Sequence, residues 1–190
     1  MALEKSSTAM LAKFFQTISR NTFSQLRMGD SQIADYIASM LTDFSRADRL
    51  FQLRAEDGRK LSSVVEMLIA NLGPETRARI INERAIRKYV GDYTLFMSGL
   101  FRGYVQHGGY LDYYLEEGRK SYRAVSRLDH SLFRPGFMIF EELSERFENY
   151  SGALDFIRKC YFAASAGASS PFAGFLRQVE TMLGAARSNN

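Results

Sequence analysis

Apolar residues recur every three or four positions along most of this chain, the spacing of amphipathic helices. Leu11, Phe14, Phe15, Ile18, Thr22 and Leu26 share one helical face, and Gly29-Asp30 interrupts the pattern. Ile33, Ile37, Met40, Leu41, Phe44 and Phe51 line a second helix. Beyond EDGRK, a short third is marked by Leu61, Val64, Val65, Leu68 and Leu72; Gly73 stops it, and Pro74 suits the first turn of the next. That next helix is predicted over residues 74–103, and it would extend roughly 45 Å. Further helical patterns cover about residues 110–128, 136–149, 152–165 and 171–187, separated by HGG, LFRPG, NYSG and SAGASSP. Ser151 and Ser170 are suited to cap two of them.

No run alternates apolar with polar residues, and no segment of 20 to 50 residues repeats. The expectation is all-α: a single-domain bundle of about seven to eight helices around a long central helix, spanning residues 1–190 with short disordered ends at MALEKSS and RSNN.

The central pattern holds an anomaly. On a helical wheel, Ile81, Ala85, Lys88, Tyr89, Asp92, Leu95, Phe96, Gly99 and Gly103 share one side, with the carboxylate of Asp92 near its middle. The opposite side is also apolar at Ile86, Val90, Met97 and Phe101, which leaves Arg87, Thr94, Ser98 and Arg102 as a narrow polar sector. Such a helix is enclosed by neighbours. The following pattern divides cleanly: Leu111, Tyr114, Leu115, Gly118, Ser121, Tyr122, Val125 and Leu128 face inward, while Asp112, Glu116, Glu117, Arg119, Lys120, Arg123 and Arg127 face outward. Gly99, Gly103 and Gly118 suit a close approach of two backbones, because a helical glycine costs about 0.5–1 kcal/mol relative to alanine and needs a packing reason.

A carboxylate buried in this pair requires donors, and the hydroxyls of Tyr89, Tyr114 and Tyr122 and the ammonium of Lys88 are the nearest in sequence. Two readings follow. Asp92 organises the core through tyrosine hydrogen bonds, or Asp92, Tyr89, Tyr114 and Tyr122 line a ligand pocket in which the acid is a general base or anchor.

The run GDYTLFMSGLF followed by YLDYYLEEGRKSYRAVS and FEELSERFENYSGALDFI resembles an uncharacterised family of bacterial all-helical proteins. The pattern is carried by Gly91, Asp92, Leu95, Phe96, Gly99, Phe101, Tyr113, Tyr114, Gly118 and Tyr122. The resemblance implies a helical fold and a bacterial source, and it transfers no reaction.

Composition narrows the remaining choices. One cysteine, Cys160, permits no intrachain disulfide, and it lies on a helix face where a small buried hydrophobe is expected. A cytoplasmic setting follows, with an N-terminus unlike a signal peptide and no apolar run near the roughly 20 residues that span a bilayer. His107 and His130, with Asp112, Glu116 and Asp129 nearby, form no metal-ligand motif, and no nucleophile elbow, phosphate loop or dinucleotide fingerprint occurs, so neither metal nor cofactor is expected. The net charge of +4 permits an anionic partner, and Arg77, Arg79, Arg84, Arg87 and Lys88 are the candidate nucleic-acid strip. Phe133, Phe137, Met138 and Phe140, with outward Tyr113, offer apolar area for a protein partner or a symmetric dimer, or else complete the core.

The leading expectation is a non-catalytic cytoplasmic binding or regulatory protein acting through protein–protein contacts as a homodimer. The alternatives are a small-molecule binder or enzyme at Asp92, and a nucleic-acid-binding module.

Overall fold

A computed structural model of the chain describes residues 2–28, 30–45, 64–69 and 77–162, together with Gly174, Val179 and Thr181. The described residues form an all-α bundle with no strand: α1 (Ala2–Gln25), α2 (Ser31–Phe44), α3 (Val64–Ile69), α4 (Arg77–Leu100), α5 (Arg102–His107), α6 (Leu111–Ser131), α7 (Phe137–Glu145) and α8 (Phe147–Ile157), then a π-helical turn, Arg158–Phe162. Among them no helix is long and apolar enough to cross a membrane. The predictions at Leu61, Leu72 and Phe51, the cap at Ser170, the helix over 171–187 apart from Gly174, Val179 and Thr181, and the C-terminal RSNN lie outside the described residues.

The start of α2 follows from its first polar residue. Asp30 has an extended backbone, and its side chain accepts from the backbone N–H groups of Gln32 and Ile33 at 2.8 and 3.1 Å, which satisfies two donors that the first turn leaves open. The apolar stripe of α2 then buries Ile33, Ile37, Met40, Leu41 and Phe44, as its spacing predicts. On α1 the buried face is Phe15, Ile18, Ser19, Thr22 and Phe23, while Phe14 and Leu26 sit at its margin, more than a third exposed. Residues 2–7 belong to α1. In α3, Val64 and Met67 face the core and Val65 faces outward.

The helix α4 is the centre. It packs on α6, α8 and α3, while α6 also packs on α7, and α1 on α2. Every residue from Tyr89 to Phe101 is buried. Of the narrow sector read as polar, Thr94 and Ser98 are buried and Arg87 and Arg102 half-buried: Thr94 Oγ1 donates back to the carbonyls of Val90 and Gly91, and Ser98 Oγ accepts from Ser151 Oγ at 3.0 Å. The long helix ends earlier than its pattern. Phe101 leaves helical geometry at φ −114°, ψ 29°, turns into the core against Phe96 at 5.5 Å between ring centroids, and α5 begins anew.

A second break also moves. The chain bends at Arg146, and the NYSG sequence runs unbroken inside α8, where Tyr150 and Ser151 are buried. Burial of Phe147, Tyr150, Ser151 and Leu154 overrides the local turn chemistry, so Ser151 is a core hydrogen-bond donor and not a cap. Cys160 is exposed, because the π-helical turn changes the register of the α8 face beyond Ile157.

Candidate functional site

Asp92 lies where the wheel places it, on the buried side of α4, and its relative exposure is 5%. Its Oδ1 accepts from the hydroxyls of Tyr122 on α6 at 2.8 Å and Tyr36 on α2 at 2.5 Å; its Oδ2 accepts from Lys88 Nζ, one turn earlier, at 2.7 Å. The approach of Tyr122 depends on the residue before the acid. A methyl group on Gly91 would stand 2.6 Å from the Tyr122 ring, so glycine admits the ring and the neighbouring aspartate receives its hydroxyl.

A second buried acid extends this network. Asp129, wholly buried on α6, is gripped by Arg84 through Nε and Nη2 at 2.5 and 2.7 Å, and Arg134 stands 3.7 Å away. Phe140 of α7 ties the two acids' surroundings together: Tyr36 meets it edge-on at 5.3 Å, Tyr122 lies at 5.8 Å, and the Arg84 guanidinium sits 5.7 Å over its ring. Lys88 likewise lies 5.1 Å over the Tyr36 ring. Burial, followed by the charge of Asp92, pushes the Tyr36 and Tyr122 phenols well above the ordinary range. Hydrogen bonding to Asp129 raises Arg84.

Two of the predicted donors belong elsewhere. Tyr89 stacks on Tyr93 at 6.1 Å and meets Phe44 edge-on, and Tyr114 lies 6.3 Å from Tyr93, so both join an aromatic group separate from the carboxylate. Burial holds Tyr93 well above its ordinary value and Tyr114 at about 12. Tyr36 was missed because it lies 56 positions from Asp92 in the chain, and Asp129 because helical spacing alone did not separate it from an outward acid. Among the described residues, the Asp92 carboxylate therefore has three donors, Tyr36, Lys88 and Tyr122.

The proposed nucleic-acid strip is largely paired. Arg84 is held by Asp129, Arg87 by Glu117 at 3.3 Å and Lys88 by Asp92. Arg77 and Arg79 lie in the first turn of α4, and their side chains are outside the described set. Among the described residues no three of His, Cys, Asp and Glu gather as metal ligands.

The glycine seam differs in detail from its prediction. A Cβ on Gly118 would collide with the Phe147 ring and stand 2.5 Å from Thr94 Oγ1, and one on Gly99 would meet Leu154 Cβ at 2.5 Å. Gly118 thus joins α6 to α4 and α8, and Gly99 joins α4 to α8. Gly103 meets nothing within 4 Å, since it lies beyond the break at Phe101.

A concave surface lies elsewhere, between the start of α2 and the outer face of α7. Its volume is about 560 Å³, and its lining is Asp30, Gln32, Ile33, Met138, Ile139, Glu141, Glu142 and Glu145. The lining combines the apolar Ile33, Met138 and Ile139 with four carboxylates, and no cation is among its described residues. Glu142 accepts from the Tyr150 hydroxyl at 3.1 Å and lies 3.5 Å from Arg146, whereas Glu141 and Glu145 are exposed. The four apolar residues singled out for a partner separate: Phe140 enters the core, Phe137 is half-buried against His130, and Met138 and Phe133 are 65% and 96% exposed. Tyr113 is 40% exposed.

Comparison of the chain with protein-family models, curated proteins and solved structures finds no match. The groove and the buried network are what its own geometry offers.

Proposed function

We propose that this protein is a non-catalytic binding protein that takes a cationic, partly apolar polypeptide segment in the groove between the start of α2 and α7. One observation carries the reading: the groove sets Asp30, Glu141, Glu142 and Glu145 around Ile33, Met138 and Ile139 in a chain whose net charge is positive. The apolar lining residues supply contact area, and the acids supply choice of partner and faster encounter. Its single cysteine suits a reducing compartment, and the reading places it in the cytoplasm.

The pocket reading at Asp92 has less support. Its carboxylate is engaged by Tyr36, Tyr122 and Lys88, and it does not line the groove. The nucleic-acid reading is weakened by the pairing of Arg84, Arg87 and Lys88 with acids.

The test is fluorescence anisotropy with two labelled amphipathic peptides of equal length, one leucine–arginine and one leucine–glutamate. The basic peptide binds, more weakly as salt rises, and the double variant Glu141→Lys/Glu145→Lys loses it by about tenfold or more. Equal binding of both peptides, or binding untouched by the double variant, sinks the proposal.

A further inference from the structure

The turn between α6 and α7 presents an aromatic side chain in an unusual way. Phe133 is 96% exposed and its backbone lies in the left-handed region at φ 53°, where a bulky side chain is disfavoured and glycine is the common occupant. The conformation closes the end of α6: the Phe133 N–H donates to His130 O at 3.1 Å and the Arg134 N–H to Asp129 O at 2.8 Å, the paired bonds of a Schellman turn. Asp129 is anchored in the core by Arg84, and Pro135 restricts the exit, so the ring is held outward by a braced turn.

We infer that the segment seated in the acidic groove is this same turn from a second copy of the chain, with Phe133 against the apolar lining residues and Arg134 against Glu141 and Glu145. The inference rests on the groove reading above. Its first support is charge complementarity: Arg127 and Arg134 are exposed cations on either side of Phe133 in the chain, Arg134 standing 3.7 Å from the buried Asp129 that Arg84 grips, and the groove presents Glu141 and Glu145 as exposed acids, with no cation among its described lining residues. Its second support is placement. Met138, which lines the groove, is on the first turn of α7, soon after the turn that carries Phe133. Knob and groove thus lie close together in the chain, and a two-fold pairing that seats each knob in the other copy's groove engages both contacts at once. The exposure of Phe133 excludes insertion into its own groove.

The experiment is sedimentation velocity of the full chain over a range of concentration and salt. The wild type forms a dimer that weakens as salt rises. Phe133→Gly removes the knob and suits the left-handed backbone, so it weakens dimerisation by about tenfold or more with no loss of melting temperature. Glu141→Lys/Glu145→Lys weakens it similarly. A mixture of the two variants associates more than either alone, because each mixed pair retains one intact groove facing one intact knob.

A wild type that stays monomeric while the basic peptide binds overturns the second-copy assignment and leaves the groove reading standing. A dimer lost in Phe133→Gly but unchanged by the groove reversal, with no peptide binding, overturns both. A dimer indifferent to Phe133→Gly overturns the inference alone.

Discussion

The seam between α4 and α6 and the turn between α6 and α7 handle aromatic residues in opposite ways. In the seam, glycines at positions 91 and 118 let the Tyr122 and Phe147 rings approach backbone, and the polar tip of Tyr122 is bonded to Asp92. At the turn, where glycine would relieve the backbone, the chain carries Phe133 and leaves it almost wholly exposed. Glycine is spent on packing where burial rewards it and withheld where an exposed ring results. The contrast separates stability from recognition: the seam accounts for the fold, and the outer turn with its neighbouring groove is the surface we assign to binding.

Alkaline pH should break the seam with the largest effect. The folded state keeps the protons of Tyr36, Tyr93 and Tyr122 at pH values where the unfolded chain releases them, since burial raises all three phenols. Their contribution is intact below the unfolded phenol value of about 10 and is lost as pH rises above it, at about 1.4 kcal/mol each one pH unit higher. Urea unfolding at stepped pH, followed with phenolate absorbance in a chain without tryptophan, checks this. Ionisation of all ten tyrosines with the helices intact would contradict it.

Next is Asp92→Ala, which leaves the Tyr36 and Tyr122 hydroxyls without their acceptor and should cost about 3–5 kcal/mol in urea unfolding. Lys88→Met should cost far less, because the Lys88 side chain is 36% exposed. Comparable losses for the two would show that the ion pair, and not the tyrosine pair, holds the acid. The smallest effects come from two helical glycines. Gly118→Ala meets Phe147 and Thr94 and should destabilise by about 1–3 kcal/mol, whereas Gly103→Ala enters open space in α5 and should stabilise by about 0.5–1 kcal/mol. Shifts of the same sign in thermal melts would remove the distinction between seam and surface.

Helical periodicity alone determined much of this protein. It placed the buried stripe of α2, the inward face of α6 from Leu115 to Val125, the enclosure of α4 and the position of Asp92 on its buried side, because a 3.6-residue repeat maps directly onto which face meets the core. It failed where the deciding contact comes from another element. Tyr36 reaches Asp92 only because α2 lies against the bundle, Tyr89 and Tyr114 turn to Tyr93, and Asp129 is inside because Arg84 of α4 stands opposite it. The breaks at Phe101 and Arg146, and the unbroken helix through Ser151, follow burial in preference to local turn chemistry. Tertiary structure alone decided which of Phe133, Met138 and Phe140 is core and which is surface, and brought Asp30 beside Glu141, Glu142 and Glu145. A sequence fixes the faces of its helices through their period, while the pairing of those faces depends on distances between segments far apart in the chain.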